Sequence, residues 1–154
     1  MERLASHLGG PELYIKRDDC TGLATGGNKT RKLEFLVADA LRQGADTLLT
    51  AGAVQSNHVR QTAAAAARSG LDCHALLERE VACEKSSYRK SGNVLLDQLL
   101  GCRVDYCRRG TDLAAAMRAT AQALRAQGRK PYLIPVGGSN AVGALGYVQC
   151  ANEI

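Results

Sequence analysis

The sequence predicts an α/β fold, a parallel β-sheet with helices packed on both of its faces. Three observations carry that prediction. Strand-like and helix-like segments alternate along the chain, the connections between them run to only a few residues, and glycines punctuate the junctions. Short right-handed crossovers between parallel strands are the usual way to satisfy such a pattern. At 154 residues the chain has the size of one ordinary domain. Its hydrophobic fraction is 45% against an aromatic fraction of 4%, so the core is built from Ala, Leu and Val.

Glu2 to Leu8 reads as a short amphipathic helix closed by Gly9-Gly10-Pro11, and Leu13 to Arg17 as a strand running into Asp18-Asp19. Leu33, Leu36, Val37, Ala40 and Leu41 recur at helical spacing and stop at Gly44. Asp46 to Thr50 is a buried strand of β-favouring residues ending in Ala51-Gly52-Ala53. A helix then starts near Ser56 and runs through an alanine-rich stretch to Gly70. Cys73 to Leu77 is a strand, Val81 to Tyr88 a polar connection, Asn93 to Leu100 a short helix and Arg103 to Tyr106 a strand. Asp112 to Gln127 is a helix with Leu113, Met117, Ala121 and Leu124 inward. Pro131 to Val136 is the last strand, and a helix begins near Ala141 and is still running at Ile154, without a Gly, Pro or basic cap. That ending reads as a truncation.

The net charge of +5 is scattered among acids, with no aromatic-basic interleaving of the kind that stacks bases, so a nucleic-acid surface is not expected. It reads as solvated surface with some attraction for anionic ligands. Six cysteines (Cys20, Cys73, Cys83, Cys102, Cys107, Cys150) are irregularly spaced, and the three histidines do not fall beside them at zinc-ligand spacing. With neither a signal peptide nor a membrane-spanning run, the cytoplasm is the expected compartment, with reduced thiols and Cys73 and Cys150 as small core residues. Asp18-Asp19 has no third carboxylate at metal-ligand spacing, so a turn and an ion pair with Arg17 or Lys16 are expected there, and no metal.

Ligands of parallel sheets sit at the carboxyl ends of the strands. The loops 22–29, 51–58 and 137–140 each follow a predicted strand and are expected to share that edge. In Gly26-Gly27-Asn28-Lys29-Thr30-Arg31-Lys32 the glycines let the backbone turn tightly, and Lys29 stands at the mouth of a helix. The helix dipole, the neighbouring Arg31 and Lys32, and any burial all lower its pKa, as bonding to an aldehyde requires. A solvated lysine in a basic first turn fits the same pattern. Ser56 is an N-cap candidate whose helix offers free amides to a carboxylate or phosphate, or it merely caps the helix. His58 reads as a hydrogen-bonding first-turn residue. Gly137-Gly138-Ser139-Asn140, with Gly143 and Gly146 behind it, matches neither the dinucleotide fingerprint nor the P-loop, and is either an anion-facing loop or a tight turn.

Ile15-Lys16-Arg17-Asp18-Asp19, the run Gly26 to Glu34, Gln55-Ser56-Asn57-His58, Ile134 to Asn140 and Gly143 to Tyr147 together resemble the D-cysteine desulfhydrase family. That family includes 1-aminocyclopropane-1-carboxylate deaminase and L-cysteate sulfo-lyase, pyridoxal-phosphate enzymes of the tryptophan-synthase-β fold (fold type II). The resemblance implies pyridoxal 5'-phosphate as cofactor and Lys29 as its Schiff-base lysine and proton acceptor. It implies that Asn57 bonds the ring hydroxyl and that Ser56 holds the substrate carboxylate or assists proton movement. Asn28 and His58 would complete the wall of the site. The reaction implied is a lyase or deaminase reaction on a small β-substituted amino acid. Asp19 to Leu23 and Gly92 to Asp97 look closest to the L-cysteate sulfo-lyases, which release sulfite. D-cysteine desulfhydrase, releasing sulfide, comes next and the cyclopropane deaminase third.

Family members run to roughly twice this length, as two domains do. Residues 1–154 would then be the N-terminal part, holding the small domain and part of the large one, with the rest of the large domain absent. A homodimer is expected for the full-length chain. Two other readings fit the residues: an inactive truncated fragment of such an enzyme, and a non-catalytic anion-binding α/β domain using the Ser56 helix terminus.

Overall fold

In the computed structural model, which describes residues 1–83 and 85–154, four parallel strands form one sheet. They are β1 (Thr47–Ala53), β2 (Asp72–Glu78), β3 (Arg103–Cys107) and β4 (Pro131–Ile134), in the order β3-β2-β1-β4. β1 is the pivot. Leu49 pairs with His74 on one side and Leu133 on the other, and six of its seven residues are buried. Among the described residues six α-helices accompany the sheet: α1 (Glu2–Leu8), α2 (Thr30–Arg42), α3 (Asn57–Arg68), α4 (Gly92–Leu99), α5 (Leu113–Ala126) and α6 (Ala141–Asn152).

The strand period of two divides the core. Leu48, Ala75 and Leu77 point to one face, where they meet Leu33, Leu36, Val37 and Ala40 of α2, Val59, Ala63 and Ala66 of α3, and Val94 of α4. Leu49, Ala51 and Leu76 point to the other face and pack on Met117 and Ala121 of α5. Both faces are therefore covered, as the alternation of the sequence predicts. The side taken by each helix follows from handedness. From β1 to β2 to β3 the sheet grows in one direction and α3 and α4 lie on one face. From β3 back to β4 the direction reverses, so a right-handed crossover puts α5 on the opposite face. The reversal places a switch point between β1 and β4, and a crevice opens at the carboxyl ends of strands at such a point.

Most predicted elements are present within one or two residues. Three details differ. Leu13 to Arg17 is not a strand: it pairs with no other strand here, and Tyr14 and Ile15 stay exposed at 83% and 58%. The loop 22–29 consequently follows no strand, although it does reach the predicted edge. The last helix stops at Asn152 rather than running through Ile154. The polar connection Val81 to Tyr88 contains a short 3-10 turn from Ser86, and Glu84 within it lies outside the described residues. Cys73 and Cys150 are buried core residues as expected, and the Cys73 sulfur lies 3.4 Å from that of Cys102.

α6 meets α2 almost backbone to backbone. A Cβ on Gly146 would overlap the carbonyl oxygen of Arg31, and one on Gly143 would overlap that of Gly138. Arg31 reinforces the contact by bonding Asp18 through Nε at 2.8 Å and Glu153 through Nη2 at 2.8 Å. The ion pair expected at Asp18-Asp19 is thus divided: Asp19 pairs with Arg17, but Asp18 pairs with Arg31.

Candidate functional site

Three helix-entry segments converge beside the β1/β4 switch point. Lys29 is the N-cap residue of α2 and donates its own amide to Gln61 Oε1 at 3.1 Å. Its ammonium is half-buried, and its pKa is lowered first by that burial and then by the charge of Lys32. Two of the three causes read from the sequence are therefore present. The loop after β4 comes close: a Cβ on Gly137 would stand 3.8 Å from Lys29 Cε, and Lys32 Nζ donates to Gly137 O at 3.1 Å and Ser139 Oγ at 3.0 Å. Asn140 caps α6 by accepting from Gly143 N at 2.8 Å.

Ser56 caps α3, its Oγ accepting from Val59 N at 3.3 Å. The amides of Asn57 and His58 precede the first intrahelical donors and form the positive end of that helix. Asn57 is exposed and donates through Nδ2 to Asn28 Oδ1 at 3.3 Å, while Asn28 O accepts from Tyr147 Oη at 3.1 Å. His58, in the first turn as expected, faces inward and is only 3% exposed. Its Nε2 lies 2.8 Å from Thr50 Oγ1, and Thr50 donates its hydroxyl hydrogen to Ile134 O at 2.9 Å. That leaves Thr50 as an acceptor, which assigns the imidazole hydrogen to Nε2 and makes the buried Nδ1 a bare lone pair with no partner. Burial first, then the charges of Lys29 and Lys32, push the His58 pKa down to about 4, so the ring is neutral at neutral pH.

Of the five residues singled out from the sequence, Asn28 and Asn57 are bonded to each other, and Lys29 and His58 share an electrostatic neighbourhood. Ser56 is tied to its own helix, and among the described residues no hydrogen bond joins it to the other four. The arrangement offers an amine of lowered pKa, a second ammonium, an exposed amide side chain and a helix N-terminus. Such a set suits an anionic aldehyde and an amino-acid carboxylate. Sequence reasoning passed over Thr50, Arg60 and Gln61. Arg60, Gln61 and Thr62 interrupt what is otherwise an apolar stretch, but their burial is visible only in the structure.

Among the described residues no three His, Cys, Asp or Glu side chains are grouped to hold a metal ion, and no helix is long and apolar enough to cross a membrane. Comparison with known proteins gives a match to the family described as "Pyridoxal-phosphate dependent enzyme" over residues 1–154. A D-cysteine desulfhydrase of Klebsiella pneumoniae is 60% identical over all 154 residues, which are 47% of its own length. One from Serratia proteamaculans is 59% identical, with 46% of its length covered. The chain thus spans about half the length of the curated relatives it matches. A crystal structure described as an ACC deaminase homologue superposes with a TM-score of 0.86 at 42% identity, over 99% of this chain and 45% of that one.

Proposed function

This chain belongs to the pyridoxal-phosphate dependent enzymes, and we propose that it supplies the lysine-bearing half of the active site of a carbon–sulfur lyase converting D-cysteine and water to pyruvate, sulfide and ammonia. The observation that carries this reading is the placement of Lys29, an amine of lowered pKa at the sheet's switch point, in a chain 60% identical to a D-cysteine desulfhydrase.

The residues present fit the cofactor. Lys29 would hold its aldehyde through the amine, and one N–H of Asn57 remains beyond the bond to Asn28 to meet the ring hydroxyl. When bound, the group supplies an electron sink for the carbanion left by loss of the α-proton. The chain's own residues do the rest. Lys29, with its amine free, would accept the α-proton, because burial and Lys32 favour its neutral form. Ser56 spends only a lone pair on Val59 N and keeps its hydroxyl hydrogen for a substrate carboxylate, beside the free amides of α3. His58 stays neutral and, through Thr50, ties the start of α3 to the end of β4. Asn28 closes the wall by bonding Asn57.

The D-cysteine desulfhydrases among the relatives favour sulfide release over the sulfite release of L-cysteate, which the runs Asp19 to Leu23 and Gly92 to Asp97 suggest. In this proposal β1–β4 and their helices form the small domain and the segment before α2 begins the large one. The whole protein is a cytoplasmic homodimer. Absorbance spectra of the whole protein and of Lys29→Ala with pyridoxal phosphate test the anchor: a visible band is expected in the first and not in the second. Separate additions of D-cysteine, L-cysteate and 1-aminocyclopropane-1-carboxylate, followed by sulfide, sulfite and pyruvate assays, then identify the substrate. A folded protein that gives no band, or gives it equally with Lys29→Ala, would refute the reading.

A further inference from the structure

The backbone leading to Lys29 is held in a conformation that its own sequence does not favour. Ala24, Thr25, Gly26 and Gly27 have φ of 44°, 68°, 79° and 138°, four consecutive positive values of which two belong to residues with a Cβ. Such a run persists only where surrounding structure determines it. The Thr21 hydroxyl holds Gly27 through both its N–H and its C=O, and the other side-chain determinants come from α3. Arg60 donates through Nη1 to Ala24 O at 2.8 Å and to the Thr25 hydroxyl, and through Nη2 to Gly26 O at 2.8 Å. Gln61, fully buried, turns its Oε1 to three donors: Lys29 N at 3.1 Å, Thr30 N at 3.0 Å and Thr30 Oγ1 at 3.1 Å. Its Nε2 is fixed on Asn57 O at 2.8 Å. Gly27 is the counterpart of this contact, because a Cβ there would overlap the Gln61 amide.

α2 therefore has no cap of its own. Lys29 occupies the N-cap position without a side-chain bond to the helix, and a residue of α3 does the capping instead. A lysine ammonium has no acceptor with which to cap the helix, so the cap has to come from elsewhere.

We propose that Arg60 and Gln61 are positioning residues for Lys29: Arg60 fixes the backbone of Ala24 to Gly26, Gln61 caps α2 from outside, and together they set where the amine stands. The inference rests on the reading of Lys29 as the amine of the site. Neither residue touches the reacting atoms. Their effect passes through the main chain, and it keeps the amine half-buried next to Lys32, the two conditions that favour its neutral form.

The test is the pH profile of Lys29 acylation, resolved by peptide mass spectrometry in the intact protein without cofactor. It compares wild type with Gln61→Ala, Arg60→Ala, Gln61→Glu and Thr62→Val. Thr62 is buried in the same helix and, among the described residues, its hydroxyl bonds only His58 O of that helix, so its variant reports general loosening of α3. Gln61→Ala and Arg60→Ala are expected to let the amine swing into water, raising the midpoint by about half a unit and slowing labelling near neutral pH about threefold. Amide hydrogen exchange at Lys29 and Thr30 is expected to accelerate in Gln61→Ala, and Thr62→Val to match wild type in both readouts. Should Gln61→Ala not fold, Gln61→Glu keeps the acceptor, so amide exchange at Lys29 and Thr30 is expected to stay slow as in wild type, and acceleration there would count against the external cap. Profiles that superimpose on wild type, or that Thr62→Val moves as far, would overturn the inference. A wild type that shows these shifts on mutation yet takes up no pyridoxal phosphate would support the placing role and refute the function, so the two fail separately.

Discussion

Asp97 gives the sharpest quantitative test of the packing behind the site. It lies on α4, is 0% exposed, and among the described residues neither of its carboxylate oxygens has a hydrogen-bond partner. Burial raises its pKa from the ordinary 3.8 to about 7, against the smaller opposing pull of Arg60 from α3. Cys102 also faces it, and its own thiol is pushed further up by that carboxylate. An acid whose folded pKa exceeds its unfolded one holds more protons in the folded state between the two values, so stability falls as pH rises through that window. At 1.36 kcal/mol per unit, a rise from 3.8 to about 7 amounts to a loss of about 4 kcal/mol, complete above the folded pKa. Asp97→Asn removes the titration while keeping the shape. Below the window a neutral carboxyl and an amide carry similar costs, so the two proteins are expected to agree within about 1 kcal/mol. Above it the variant is expected to be the more stable by up to about 4 kcal/mol. Urea unfolding followed by circular dichroism between about pH 4 and pH 8 measures the difference. A difference that stays flat across that range would refute the reasoning.

Two other substitutions probe the frame of the site. Gly146→Ala puts a methyl against the Arg31 carbonyl, a backbone obstacle that cannot rotate away. A loss of about 1–3 kcal/mol is expected, checked by thermal melting, and an unchanged melt would show that α6 does not press on α2. Ser56→Ala deletes the cap of α3, and a loss of about 1 kcal/mol in urea unfolding is expected, toward the low side because the bond is 3.3 Å long. No loss would show that the cap is not formed.

What the sequence made legible was what local physics decides. Leu33, Leu36, Val37 and Ala40 announce the buried face of α2 by their spacing alone and are buried, whereas Leu41, read with them, is exposed at the end of the helix. Ser56 before an alanine-rich run announces a helix start, and the cap bond is there. Leu13 to Arg17 misled because its composition suits a strand, whereas a strand also requires a partner, which no local pattern reports. Arg60, Gln61 and Asp97 were passed over for a related reason. A polar residue in a helix reads as solvent-facing until the loop or helix opposite it is known. The position of His58 in the first turn is legible from Ser56 before it, but its inward turn toward Thr50 depends on β1 lying beneath α3.

An ordinary surface helix can drift in sequence along its wet side while its packed side stays fixed. α3 has little wet side to spend: nine residues in a row, His58 to Ala66, are buried, polar ones included. Neutral change has almost no room there, and a substitution on any side meets a strand, another helix or the loop that carries Lys29. Substitution is therefore expected to be tolerated more readily outside α3 than within it. The helix acts as a fixed jig against which the loop carrying Lys29 is set.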